Sequence, residues 1–252
     1  MAFTSETTIS IQPLVSHDHI DAAVSLQRAI WGYSDIDLDS RAILTVVSRL
    51  AGQLIGAFDA GRLIGFALAF GTLSPNRLHS HRVGVLPEYQ NHGVGRRLKL
   101  AQREDALEKG IHTIQWTFDP LQPRNAYLNL VRLGGIAKTY IPNLYGVTSS
   151  LLHGGLPTDR LLIEWQLESR RVCEVLAGRS PEISEDTWEI DLPASGERHN
   201  IAALKRLREE FLQRLNEGYV VTSFRENATR GFYILEKSLN RPIISSIFQI
   251  QV

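Results

Sequence analysis

The sequence lacks the features that stabilise small secreted proteins or anchor proteins in membranes. Cysteine occurs once in 252 residues, as Cys173, so no internal disulfide can form. No set of cysteines and histidines has zinc-site spacing, and we expect no metal. No apolar run approaches the length of about 18 residues that a membrane span needs. The first residues also lack the basic and apolar regions of a signal peptide, so the sequence predicts a cytoplasmic protein with no membrane partner.

The sequence also has no excess of charge of either sign. Lys and Arg together number 27, as do Asp and Glu, and the formal net charge is zero. Proteins that coat nucleic acids carry a basic excess, so we expect no nucleic-acid partner. Hydrophobic residues make up 43% and charged residues 21%, which is ordinary for globular proteins and excludes disordered or low-complexity classes. Any anionic ligand must therefore be bound by a local site.

Hydrophobic patterning predicts a mixed α/β protein with an added C-terminal part. A composition change after Arg170 and a segment rich in glycine, serine and proline at 177–184 divide the chain into a first domain, 1–170, and an extension, 171–252. In the second helix, Ile43, Val46, Val47 and Leu50 are expected to form the buried stripe. The predicted strands are 8–14, 54–58, 63–70, 78–86, 112–118, 137–141, 160–167, 187–192, 219–225 and 232–237, and the predicted helices are 18–31, 40–52, 93–110, 124–133 and 200–217.

Two glycines, Gly93 and Gly95, stand at the start of the third predicted helix. The first N–H groups of a helix lack intrahelical partners, and the absence of a Cβ lets a phosphate approach them. A nucleotide-hydrolysing loop needs Gly-Lys-Ser/Thr, whereas Gly95 is followed by two arginines. A dinucleotide loop needs a small residue where the chain has Leu98, and it needs to follow its strand directly. Neither of these two loops fits.

The remaining match is the acyl-CoA signature Gln/Arg-x-x-Gly-x-Gly/Ala, which Gln90, Gly93 and Gly95 satisfy. With the element order over about residues 7–168, this motif makes the chain resemble the GNAT acyltransferase superfamily. The resemblance implies the GNAT fold, acetyl-CoA or another acyl-CoA as cosubstrate, no metal, and a small-molecule amine as acceptor. It places CoA binding at Val83, Val85, Gln90, Asn91, His92, Gly93, Val94, Gly95, Arg96, Asn125 and Asn129.

The chemistry that the resemblance implies needs a base, because a protonated amine cannot attack a thioester. His79 and His81 lie two residues apart on one strand and share a face, and His81 is the preferred base. In the family, a tyrosine four residues before the glycine that closes the short helix often protonates the thiolate. Leu130 stands at that position here. Tyr127 on the same helix and Tyr140 and Tyr145 after it are the alternatives, and Tyr145 is the one we take as the candidate acid. Asp119 is a third catalytic candidate, although Asp before Pro is also common in turns.

Several questions stay open from the sequence. Four arginines near the expected cleft, Arg77, Arg82, Arg124 and Arg160, favour an acceptor with a carboxylate, such as an amino acid. The acyl group is acetyl or another short group, including succinyl. The missing tyrosine at Leu130 keeps open a second function, a catalytically weak module that binds acyl-CoA as a regulatory ligand. The extension is expected to pack on the first domain or on its counterpart in a homodimer.

Overall fold

Ten strands form one sheet in the computed structural model, which describes residues 9–146, 155–198, 200–227 and 229–238. The order across the sheet is β1-β2-β3-β4-β5-β7-β6-β9-β10-β8, and the predicted mixed α/β architecture with extra C-terminal strands is confirmed. The strands are β1 (Ser10–Pro13), β2 (Gly52–Asp59), β3 (Arg62–Gly71), β4 (Arg77–Val85), β5 (Thr113–Phe118), β6 (Ile136–Ile141), β7 (Arg160–Gln166), β8 (Thr187–Leu192), β9 (Tyr219–Glu226) and β10 (Gly231–Lys237).

Six α-helices accompany the sheet in the described residues. They are α1 (His17–Trp31), α2 (Arg41–Val46), α3 (Val94–Glu108), α4 (Pro123–Ala126), α5 (Arg170–Leu176) and α6 (Ile201–Asn216). Helices α2 and α4 continue directly into π-helical turns at Val47–Ala51 and Tyr127–Arg132. Local signals explain the ends of α1, since the Ser16 side chain accepts a hydrogen bond from the His19 N–H and Gly32 closes the helix with φ +66°.

The buried stripe predicted for the second helix is correct at Val47 and wrong at its other three residues. Ile43, Val46 and Leu50 are 54%, 47% and 84% exposed, whereas Leu44 and Val47 lie in the core. Both sets of residues are apolar and spaced for a helix, and they differ by a rotation of one residue. Periodicity cannot choose between two such stripes, so the packing of α2 on its neighbours decides which one is buried.

The parallel strands β4 and β5 separate soon after they pair. Their ladder joins only Arg77–His79 to residues 113–115, although β4 continues beside β3 and β5 continues beside β7. Beyond His79 and Gln115 each strand therefore pairs only with its outer neighbour. The result is a gap between the two strands, which we call the β4–β5 opening.

The extension continues the sheet of the first part of the chain. Ala137 of β6 pairs with Val221 of β9, and one cluster of buried residues runs from Leu78 to Leu235. Helix α5, which the sequence analysis did not predict, follows β7 and packs Val172 and Val175 near Gly134. The division at residue 170 stays a prediction. No helix in the described part of the chain is long and apolar enough to cross a membrane.

Candidate active site

The start of α3 presents unpartnered backbone donors. Gly93 precedes the helix with φ +78°, and Asn91 is also left-handed, with φ +65°. No side chain caps this helix within the described residues. The Arg97 N–H donates to the Gly93 carbonyl (3.0 Å), so the N–H groups of residues 94–96 precede the first intrahelical bond. They point out of the helix end, where a phosphate is favoured.

Open space lies over this first turn of α3. A Cβ built on Gly93 would meet no atom within 4 Å, and one built on Gly95 would meet only Val85 Cγ2, at 4.0 Å. The side chain of Gln90 holds the loop against the end of β4, because its Nε2 donates to the Val85 carbonyl (3.0 Å). The exposed His92 belongs to the same loop. The residues of the predicted acyl-CoA signature thus leave room for an anion beside free donors.

Polar side chains from the helix after β5 lie on the other side of α3. Arg96 Nε donates to the Arg132 carbonyl at 3.4 Å and so links the two helices. Asn125 is exposed on α4, whereas Asn129 is only 4% exposed. The Asn129 amide makes no side-chain hydrogen bond to any described residue, so its donors and its acceptor are open to a ligand. A bound amide or carbonyl would satisfy it.

Val83 and Val85 direct backbone donors into the β4–β5 opening. The Leu86 N–H donates to the Ile64 carbonyl of β3 at 2.9 Å, so it points away from the opening. Successive N–H groups in a strand point to opposite sides, which turns those of Val83 and Val85 toward the opening. The bond from Gln90 to the Val85 carbonyl reaches β4 from that same side. Two N–H groups therefore line the β4 side of the opening.

His81 is the extra residue of a bulge in β4 and contacts a carboxylate. The register passes from Leu68 opposite Arg82 to Ala69 opposite Ser80, which leaves His81 without a partner on β3. Its side chain is 23% exposed, and its Nε2 lies 3.4 Å from Asp39 Oδ1. A neutral His81 that donates Nε2–H to Asp39 keeps the Nδ1 lone pair for a substrate proton.

Asp39 is held firmly in an ionised state. Burial alone would raise the pKa of Asp39, but the hydrogen bond with His81 and the charge of Arg82 lower the pKa below its ordinary value. Gln27 holds the backbone of Asp39, donating to its carbonyl (3.1 Å) and accepting from its N–H (2.9 Å). The sequence does not predict the role of Asp39. Asp39 lies in the loop before α2 and His81 lies 42 positions later on β4, and no local pattern indicates that they are in contact.

His79 shares the face of His81, as predicted, but in a drier environment. The two rings lie 6.2 Å apart, and Phe70 contacts both. Burial, together with the nearby charges of His81 and Lys99, lowers the pKa of His79 to about 4. A ring with that pKa is neutral at pH 7 and a weak base, so the geometry favours His81 over His79.

Tyr145 lies on the β5 side of the opening. Its hydroxyl is 3.2 Å from Thr117 Oγ1, and the Arg160 guanidinium carbon lies 5.3 Å from its ring centre. Thr117 is two residues beyond Gln115, as His81 is two residues beyond His79, so the two side chains flank the opening from opposite strands. Leu130, at the family position of the acid, is completely buried in the core.

Asp119 lies in a turn at the end of β5. Its Oδ1 accepts a hydrogen bond from the Leu121 N–H at 2.8 Å, and its Oδ2 accepts from Gln122 Nε2 at 3.5 Å. These contacts satisfy the carboxylate within the turn and explain an Asp before Pro120. A catalytic role for Asp119 stays a prediction, and the local geometry favours a structural one.

Arg82 is not available to an acceptor carboxylate, so this part of the sequence analysis is wrong. Its guanidinium bonds to the Asp39 carboxylate and to the Asp37 carbonyl (3.0 Å). Its guanidinium carbon also lies 4.8 Å from the centre of the Tyr33 ring. The group is committed to holding the loop before α2, which a single sequence does not reveal.

Comparison with known proteins now bears on this geometry. The sequence model of the Acetyltransferase (GNAT) family matches residues 20–130, which include most of α1, strand β4 and the loop before α3. These residues make up less than half of the chain, and over them it is similar to GNAT acetyltransferases. The resemblance to the GNAT family that the sequence predicts is therefore confirmed over these residues. No curated protein matches the chain.

Solved structures of GNAT proteins share the fold at low sequence identity. The ribosomal-protein-S18-alanine N-acetyltransferase from Escherichia coli is 17% identical, and the match covers 64% of this chain and 96% of that one with a TM-score of 0.52. Aminoglycoside 6'-acetyltransferase type Ii is 18% identical (64% and 99%, TM-score 0.51). A GNAT family acetyltransferase from Elizabethkingia anophelis with acetyl-CoA bound is 18% identical (64% and 99%, TM-score 0.50).

Proposed function

We propose that the protein transfers a short acyl group from acyl-CoA to the amine of a small molecule. The observation that carries this proposal is the β4–β5 opening, which has free backbone donors at one end and His81 and Tyr145 on its two sides. A site that binds acyl-CoA and moves protons across a reacting amine and thiol needs these groups.

The start of α3 and strand β4 offer backbone N–H donors and open space to acyl-CoA. The N–H groups at the start of α3 receive the pyrophosphate over Gly93 and Gly95, where no Cβ intrudes. The N–H groups of Val83 and Val85 receive carbonyl oxygens of the pantetheine arm and the thioester. The other residues that we propose for CoA binding are Gln90, Asn91, His92, Val94, Arg96, Asn125 and Asn129.

His81 acts as the general base in this proposal. An amine with a pKa near that of lysine is neutral in only about one molecule in 10³ at pH 7, so proton removal limits the attack. Asp39 accepts Nε2–H and fixes the ring, and Nδ1 takes the proton of the incoming amine. Asp39 is therefore a positioning residue, and His81 is the residue that contacts the substrate.

The remaining steps use the opposite side of the opening. The amine nitrogen attacks the thioester carbonyl carbon, and the carbonyl electrons move to an oxyanion that the Val83 N–H stabilises. The C–N bond is kept, the nitrogen loses its second proton to water, the C–S bond breaks, and the leaving thiolate takes the phenolic proton of Tyr145. His81 then releases its proton and Tyr145 regains one from water.

The acceptor that we propose is an amine with a carboxylate, such as an amino acid. Arg77 supports this, since it lies on the face of β4 that carries His79. A guanidinium binds a carboxylate through two parallel hydrogen bonds. Equal kcat/KM for an L-amino acid and its amide would contradict this choice of acceptor.

The decisive experiment measures free thiol during incubation with acetyl-CoA or succinyl-CoA and a panel of small amines. His81→Gln is expected to lower kcat by about 10²-fold or more, because a general base contributes that much. His79→Gln is the matched control and is expected to change kcat much less. Protection of the protein by acetyl-CoA against heat, with no thiol release for any amine, would favour the regulatory binding module instead.

A further inference from the structure

Lys99 is a buried lysine on the inner face of α3. Lys99 is only 3% exposed, and its Nζ donates a hydrogen bond to Ser80 Oγ at 2.7 Å. The same nitrogen lies 3.5 Å from the centre of the Trp116 ring. A hydroxyl and an aromatic face are weak compensation for taking an ammonium group out of water.

No carboxylate balances Lys99 in the described part of the chain. Its hydrogen bond and ring contact are the ones just given, and burial holds the pKa of Lys99 well below its ordinary value. The nearby Asp105 binds Gln53 and Lys109 instead. Gln102, which is also buried and bonds the same Ser80 hydroxyl, leaves its Nε2 without a hydrogen-bond partner among the described residues. Lys99 and Gln102 thus contact the same Ser80 hydroxyl, and neither contacts an anionic group among the described residues.

The position of Lys99 connects it to the β4–β5 opening. His79 and Gln115 are the last residues that pair between β4 and β5. Ser80 follows His79 directly, and Trp116 follows Gln115 directly. Lys99 Nζ, in contact with both Ser80 and Trp116, therefore lies where the strands begin to separate. From the start of α3, the donors of Val85 and Val83 lead back along β4 toward this point. An acyl chain that continues in that direction ends near Lys99.

We propose that the acyl group that this protein accepts carries a terminal carboxylate, as in succinyl-CoA, and that Lys99 binds it. A carboxylate at this position supplies the missing counter-charge and accepts hydrogen bonds from donors that are otherwise unused. The inference rests on the proposed function, because it assigns the acyl end of the same ligand.

The test compares two ligands that differ in that group alone. Succinyl-CoA and butyryl-CoA have acyl chains of equal carbon number, with a carboxylate in the first and a methyl group in the second. We expect the full-length protein to bind succinyl-CoA about tenfold more tightly by calorimetry, as a charged hydrogen bond in a buried site would give. Lys99→Met is expected to bring this ratio close to one.

Lys109→Met is the matched control, because Lys109 follows the same helix but lies exposed, and we expect it to keep the wild-type ratio. Methionine fills the volume of a lysine stem without a charge, so Lys99→Met is expected to unfold at the wild-type temperature or above it. Equal affinities in the wild type, or an unchanged ratio in Lys99→Met, would overturn the role of Lys99 while leaving acyl-CoA binding intact. Failure of acetyl-CoA, butyryl-CoA and succinyl-CoA alike to bind would overturn the proposed function as well.

Discussion

Removing Arg208 tests how strongly the C-terminal extension is joined to the first part of the chain. Arg208 of α6 donates two hydrogen bonds to the Asp159 carboxylate, from Nε at 2.8 Å and from Nη2 at 2.7 Å. Asp159 is 1% exposed and also accepts from the Tyr140 hydroxyl (2.7 Å) and the Asn143 N–H (3.0 Å). Arg208→Gln leaves this carboxylate buried without its cation.

The size of the effect follows from the burial of the pair. Breaking a buried ion pair costs about 3–5 kcal/mol, and the 26% exposure of the Arg208 side chain places the cost near the lower end. For a chain of this length, 1 kcal/mol shifts the melting temperature by about 2–4 °C. Arg208→Gln is therefore expected to lower the melting temperature by about 6–12 °C.

Thermal unfolding followed by circular dichroism measures this shift. Arg206→Gln, on the same helix at an exposed position, is the matched control and is expected to change the melting temperature very little. Adding Asp159→Asn to Arg208→Gln is expected to restore part of the loss, because it removes the uncompensated charge. If Arg208→Gln melts within about 1 °C of Arg206→Gln, the pair does not stabilise the fold and the reasoning from burial is refuted.

Two further predictions concern the proposed site. Gly93→Val is expected to abolish thermal protection by acetyl-CoA, which at about 100 times Kd amounts to about 2.7 kcal/mol in the wild type. Gly61→Val controls for backbone strain, since Gly61 has φ +83° and similar open space in the β2–β3 turn. Loss of the protection by acetyl-CoA in Gly61→Val as well would refute the assignment of the pyrophosphate site to Gly93. Because the pKa of Asp39 is lower in the folded chain than in the unfolded chain, the ionised carboxylate stabilises the fold at pH values above its pKa in the unfolded chain. This stabilisation is lost as the pH falls through the pKa of Asp39 in the folded chain. The difference in melting temperature between wild type and Asp39→Asn should therefore shrink below about pH 4, and a constant difference would contradict it.

Local patterns predicted more of the fold than of the site. Strand alternation placed His79 and His81 on one face, and the two glycines located the uncapped helix start correctly. The contact of His81 with Asp39 depends on a bulge and on a loop that Gln27 holds, and neither has a short-range signal. Lys99 follows an apolar residue on an amphipathic helix, where patterning predicts exposure. Such contacts arise from packing between distant segments, and one sequence does not encode them in its spacing.

The pairing of β9 with β6 has a consequence for how the protein can associate. A strand with one unpaired side offers its N–H and C=O groups to any other chain. In this sheet the outer side of β6 is already taken by a strand of the same chain. Within the described residues, β1 and β8 are the two strands at the ends of the sheet, so a homodimer that extends the sheet end to end would use one of them. Cutting the chain after Arg170 removes β9, so we expect it to leave the outer side of β6 open to pairing with another chain.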